Sequence, residues 1–139
     1  MKKITASKLL GLAFNQLELQ YGRWISSDKE VLHRTIYDIQ NELGEVLIPL
    51  QNLHFAIMGA YPYSSDLYTA MWILTESGWF SSYSEGGITT KVHIKHCHDT
   101  EVVTNKILGE VFKGDKVGLR AFHQMVAMLA KGMLVEPPL

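Results

Sequence analysis

The chain has 139 residues, 47% of them hydrophobic and 19% charged, with thirteen Lys and Arg against fourteen Asp and Glu for a formal net charge of −1. That length suits one domain, 1–139, able to bury a core without cross-links, and the composition argues against disorder. A near-zero charge lacks the basic footprint of phosphate-backbone binding, so generic nucleic-acid binding is not expected.

The N-terminal stretch MKKITASKLLGLAFNQLELQYG begins as a signal peptide would. Asn15, Gln16, Glu18 and Gln20 then interrupt the apolar run before any small-residue cleavage pattern. Instead, Leu9, Leu10, Ala13, Leu17 and Tyr21 recur at helical spacing, with Gly22 as a stop. A second helix is predicted from a Ser27/Glu30 capping box, with Val31, Leu32, Ile36, Ile39 and Leu43 as its stripe and Gly44 at its end. Together these two are expected to form an N-terminal helical hairpin over 1–48.

Pro49 suits the first turn of a third helix carrying Leu50, Leu53, Ile57 and Met58 and stopping at Gly59. After the loop AYPYSS, the segment SSDLYTAMWILTESG predicts a fourth helix. Ser64 or Ser65 would cap it, Asp66 would complement its dipole, and Leu67, Ala70, Met71 and Leu74 would face one way. Past Gly78 the period changes from helical to alternating. WFSSYS and ITTKVHIKHC, joined through Glu85-Gly86-Gly87, predict an antiparallel hairpin over 79–97. Residues 100–112 fit either a short helix or a third strand near 110–112. A closing helix from Asp115 carries Val117, Ala121, Phe122, Met125, Val126 and Leu129 to Gly132, and 133–139 is a tail. The expected class is α+β: a small antiparallel sheet flanked by helices within 49–132, plus the N-terminal hairpin.

The segment KVHIKHCHDT gathers three histidines and the lone cysteine, Cys97. One cysteine closes no internal disulfide, which fits a reducing cytoplasm. On a strand, His96 and His98 share one face while His93 and Cys97 share the other. A His-x-His pair supplies two zinc ligands of the three or four required, so the pair reads better as the polar rim of a pocket or interface than as a metal site. Adjacent strand residues point apart, which leaves Cys97 without a base. No Gly-rich phosphate loop, nucleophile elbow or H-E-x-x-H pattern is present. Asp66 and Glu76 would stand about 15 Å apart along their helix, too far for paired-carboxylate chemistry. The expectation is therefore no enzyme, no catalytic residue, no metal and no cofactor.

Aromatic residues crowd one third of the chain: Tyr61, Tyr63, Tyr68, Trp72, Trp79, Phe80 and Tyr83. Tyr68 and Trp72, four apart, lie off the apolar face of their helix, and a second buried face needs a second partner. The candidate ligand-binding set is Tyr61, Tyr63, Ser65, Asp66, Tyr68, Trp72, His96 and His98.

The stretch PYSSDLYTAMWIL resembles the Tyr-Ser-Thr-Asp helix start of the phage ABA sandwich domain family, small phage and prophage proteins. LHFAIMGA, with Met58-Gly59, stands where that family has a short helix ending in Met-Gly. Ala70-Met71-Trp72, WFSSYSEGGITTKVHIK and DKVGLRAFHQMVAMLA follow in the family's order, so the likeness covers roughly residues 50–131. Ser65 stands where the family has Thr, one extra residue separates Ala70 from Trp72, and the first 48 residues lie outside the pattern. The resemblance implies a layered helix–sheet–helix fold and a phage source, without an established activity.

The function these features suggest is a non-enzymatic phage or prophage accessory binder in the host cytoplasm. It would counteract host defence or regulation by sequestering a small nucleotide-like ligand or by blocking a host protein. An immunity or antitoxin-like protein neutralising a cognate toxin is the alternative, and a metal-dependent enzyme using His96 and His98 the second. A small sheet with open edges points to a homo-oligomer, and no segment long and apolar enough for a membrane is seen.

Overall fold

A computed structural model describes the backbone of residues 1–22, 24–77, 80–85, 89–94 and 100–136, and the side chains of 1–22, 24–77 and 101–136. In chain order the elements are α1 (Ala6–Gln20), β1 (Trp24–Ser26), α2 (Lys29–Leu43), a 3₁₀ turn (Ile48–Asn52) and α3 (Ser65–Glu76). Then come β2 (Phe80–Glu85), β3 (Thr89–Ile94), α4 (Thr100–Val111) and α5 (Lys116–Met133).

α1 is the central helix. Leu9 through Leu17 are buried without interruption, on every side of the helix, where the sequence suggested a single apolar stripe. A helix apolar all round has to be surrounded. α5, α3, α4 and the 3₁₀ turn supply that surround. α5 also packs along α2; Ile36, Ile39 and Leu43 are buried on α2, and Phe122, Met125, Val126 and Leu129 on α5.

The α+β expectation is corrected by this arrangement. The fold is predominantly helical, and among the described residues the buried apolar side chains come from helices and their connections, with Ile25 of β1 the exception. The backbones of β2 and β3 pair antiparallel, Phe80 opposite Ile94 through Glu85 opposite Thr89, and β1 pairs with the other edge of β3. These short strands are not the layer on which the helices assemble, so the helix–sheet–helix sandwich is not the organising plan. Of the two readings open for 100–112, the helix is the one found and the third strand near 110–112 is not: α4 runs through Val111, and Phe112 N–H donates to Leu108 O at 3.0 Å. The N-terminal hairpin fails for a packing reason. α1 and α2 meet little of each other, because each presents its apolar surface to α5.

The expected third helix stops after one 3₁₀ turn. Continuing it would require the His54 N–H to reach the Leu50 carbonyl four residues back. The Gln40 side-chain amide instead donates to the carbonyls of Leu50 and Leu53, while the Asp66 carboxylate accepts the His54 N–H at 2.9 Å. The chain then doubles back, with Ala56 and Tyr63 exchanging backbone hydrogen bonds of 2.7 and 2.9 Å. α2 is capped by Asp28, one residue past the expected Ser27. Its carboxylate accepts from both Glu30 N–H and Val31 N–H, which a serine hydroxyl satisfies less well at a helix dipole's positive end.

Candidate functional site

Three successive turns of α2 each carry a ring from outside the helix. Lys29, His33 and Tyr37 stand four residues apart and therefore share one face. The Lys29 ammonium lies over the Tyr68 ring, 5.9 Å from its centre. Tyr63 stacks on the His33 imidazole at 4.4 Å and 16°, with Tyr61 tilted at 6.0 Å and Phe55 edge-on at 6.4 Å. Tyr37 meets Phe55 at 5.2 Å in a T-shaped contact. The result is an aromatic ladder that binds the 55–63 segment and the start of α3 to α2.

His33 is its central rung and is 1% exposed. The Ser64 N–H donates to His33 Nδ1 at 3.0 Å, which puts the ring proton on Nε2. Burial, and then the positive charge of Lys29, holds the ring's pKa below its ordinary 6.5. The neighbouring Ser64 hydroxyl accepts the Leu67 N–H at 3.1 Å and so caps α3. Arg34 Nη2 reaches the Ala60 carbonyl at 3.3 Å and the Glu30 carboxylate at 3.3 Å, tying the tip of the 56–63 loop to α2. Beyond that anchor the tip is bare: Met58 is 96% exposed.

The expected binding residues divide into groups. Tyr61 and Tyr63 join the ladder, and Tyr68 and Trp72 share the side of α3 that faces the start of α2, 51% and 57% exposed. Ser65 is exposed in the first turn of α3. Asp66 lies about 200° around the helix from Tyr68, at 100° per residue, and belongs to a different surface. There its carboxylate accepts both the His54 N–H and the His54 ring, and these two hydrogen bonds hold it below the usual carboxylate range. A cleft of about 490 Å³ runs along that same side of α3, between Thr69 and Ile73 and the Lys3–Ser7 segment. His96 and His98 lie outside the described residues, as do Cys97 and the Gly86-Gly87 turn.

His33 was not among the residues singled out from sequence, although the signal was present. Its spacing of three to Ile36, then three to Ile39 and four to Leu43, places it on the buried stripe of α2. A polar residue on such a stripe must find a buried partner, and the Ser64 amide is that partner.

Chemically, the ladder is a holding device. The basic nitrogen of His33 is occupied by a backbone amide and sealed from solvent, so it has no lone pair for a substrate. His54 directs Nδ1 at Asp66 and its side chain is 82% exposed, with no enclosing wall to exclude water. Among the described residues no group of three or more His, Cys, Asp and Glu is placed to hold a metal ion. No described helix is long and apolar enough to cross a membrane. No protein-family model matches this chain, and neither a curated protein nor a solved structure is significantly similar to it.

Proposed function

We propose that this is a non-enzymatic binding protein whose partner is another protein, docked on the bare loop tip at Ile57-Met58 and the Tyr68/Trp72 side of α3. The observation that carries this reading is the pairing of exposure with rigidity. Met58, Tyr68 and Trp72 present large apolar surface to solvent, and the ladder beneath them is ordered by stacking and by hydrogen bonds. The backbone that presents them is anchored by Arg34 and by the ladder, and Met and aromatic residues are the types enriched at interface centres. A small nucleotide-like ligand would favour a concave site, whereas this surface projects. In the more specific form of the proposal, the protein is a cytoplasmic phage or prophage accessory factor that blocks a host protein. That form is supported by the resemblance of PYSSDLYTAMWIL and by the single cysteine.

The test is site-specific photo-crosslinking in host cells. A photoreactive amino acid is placed at position 58 or 72, or at the exposed Lys113 of the α4–α5 turn as control. One defined protein adduct at 58 and 72, absent at 113, is the expected result. The same adducts at all three positions, an adduct formed only with a second copy of the chain, or a thermal shift with nucleotides in place of any adduct, overturns the proposal.

A further inference from the structure

A second proton on the His33 ring has one place to go. Nδ1 already accepts the Ser64 N–H, so an Nδ1 proton would set donor against donor across 3.0 Å. The amide of Ser64, itself buried, would lose its partner, and a buried unsatisfied N–H costs more than its hydrogen bond gained. We propose that His33 is an acid-sensitive latch: neutral, it clamps the 55–64 segment and the start of α3 onto α2, and protonated, it releases them.

The charged and titratable surroundings favour release. On α2 itself, Lys29 stands one turn before His33 with a charge of the same sign as an imidazolium, and Tyr37 stands one turn after it. From the loop, Tyr61 and Tyr63 contribute aromatic rings, and the stacked Tyr63 ring offsets part of the cost as a cation–π partner. From α3, Asp66 is engaged twice by His54, and on the neighbouring row of α2 Glu30 is paired with Arg34. Among the described residues the His33 ring meets Phe55, Tyr61, Tyr63 and the Ser64 amide, and neither carboxylate is placed against it.

The direction with pH follows. The folded pKa lies below 6.5, so the unfolded chain takes up the proton first. The stabilisation from neutral His33 is complete above the unfolded pKa, falls as pH drops below about 6.5, and levels off below the folded pKa. This latch does not depend on the surface having a partner, so it and the proposed function can fail separately.

Heteronuclear NMR of the full chain between pH 7.5 and 4.5 tests it. The His33 ring is expected to titrate with a midpoint below 6.5, with the Ser64 amide shifting at the same midpoint. The protection factor of the Tyr63 amide, which donates to Ala56 O, should fall about tenfold between pH 7 and 5 as the segment opens locally. In His33→Asn the side-chain oxygen takes the place of Nδ1 without titrating, and the fall in protection should vanish. A Ser64 amide that does not follow His33, unchanged protection across the range, or the same fall in His33→Asn overturns the latch. Should His33→Asn not fold, the wild-type titration decides alone.

Discussion

Asp66 holds His54 twice, its Oδ2 accepting the backbone N–H at 2.9 Å and the ring Nδ1–H at 3.0 Å. That single carboxylate satisfies the amide that a continued helix would have turned back toward Leu50, and so it helps decide where the 3₁₀ turn ends. The folded pKa of Asp66 is depressed, so its stabilisation is present above the unfolded value near 3.8 and is lost as pH falls through the folded value. Asp66→Ala should lower Tm at pH 7, and the gap to wild type should close as pH falls from 5 to 2. Thermal melts followed by circular dichroism across that range would reveal it. A gap that stays constant down to pH 2 would mean that the charge is not what Asp66 contributes.

Gln40 performs the complementary task on the carbonyl side. Its Nε2 donates to both Leu50 O and Leu53 O from a half-buried position. Gln40→Leu removes both hydrogen bonds; Leu50 O keeps the Leu53 N–H at 3.1 Å, so the loss falls mainly on Leu53 O and should cost about 1–2 kcal/mol. Urea denaturation measures it. An unchanged midpoint would show that water reaches those carbonyls without penalty.

Where α2 crosses α5, Gly132 admits Thr35. A Cβ on residue 132 would stand 2.5 Å from Thr35 Oγ1 and 2.8 Å from its Cγ2. Thr35 cannot simply rotate away, because its hydroxyl donates to Val31 O at 2.7 Å and its β-branch restricts χ1. Gly132→Ala should therefore destabilise by about 1–3 kcal/mol through overpacking, in spite of alanine's better helix propensity. Adding Thr35→Ala should recover most of the loss, and a double-mutant cycle shows whether the two positions couple. Additive effects would place the clash elsewhere.

Gln16 offers a change in the other direction. It is buried on α1, and its Oε1 has no hydrogen-bond partner among the described residues. Replacing an unmet buried acceptor with an apolar group of similar size removes a desolvation cost. Gln16→Leu should raise stability by about 1 kcal/mol, seen as a higher urea midpoint. A lower midpoint would mean that the amide has a hydrogen-bond partner after all.

Local sequence determines much of what is helical here. The capping serine at 64, the dipole-matched Asp66 and the Leu67, Ala70 and Leu74 stripe announce α3, because caps and 3.6-residue periodicity act over a few residues. The surplus of Tyr61, Tyr63, Tyr68 and Trp72 is likewise legible in the sequence; two of these residues join the ladder and two stand exposed on α3. Tertiary structure decided the rest, through partners distant along the chain. The helix expected from Pro49 to Gly59 ends after Asn52 because Gln40 captures its carbonyls and Asp66 its amide. α1 is buried on all sides, and α5 takes the surface that would have made a hairpin of α1 and α2. No periodicity encodes which helix arrives at a given face. His33 looks from sequence like one polar residue on a helix; only folding brings Ser64 and Tyr63 to it and makes it the rung that holds the aromatic surface.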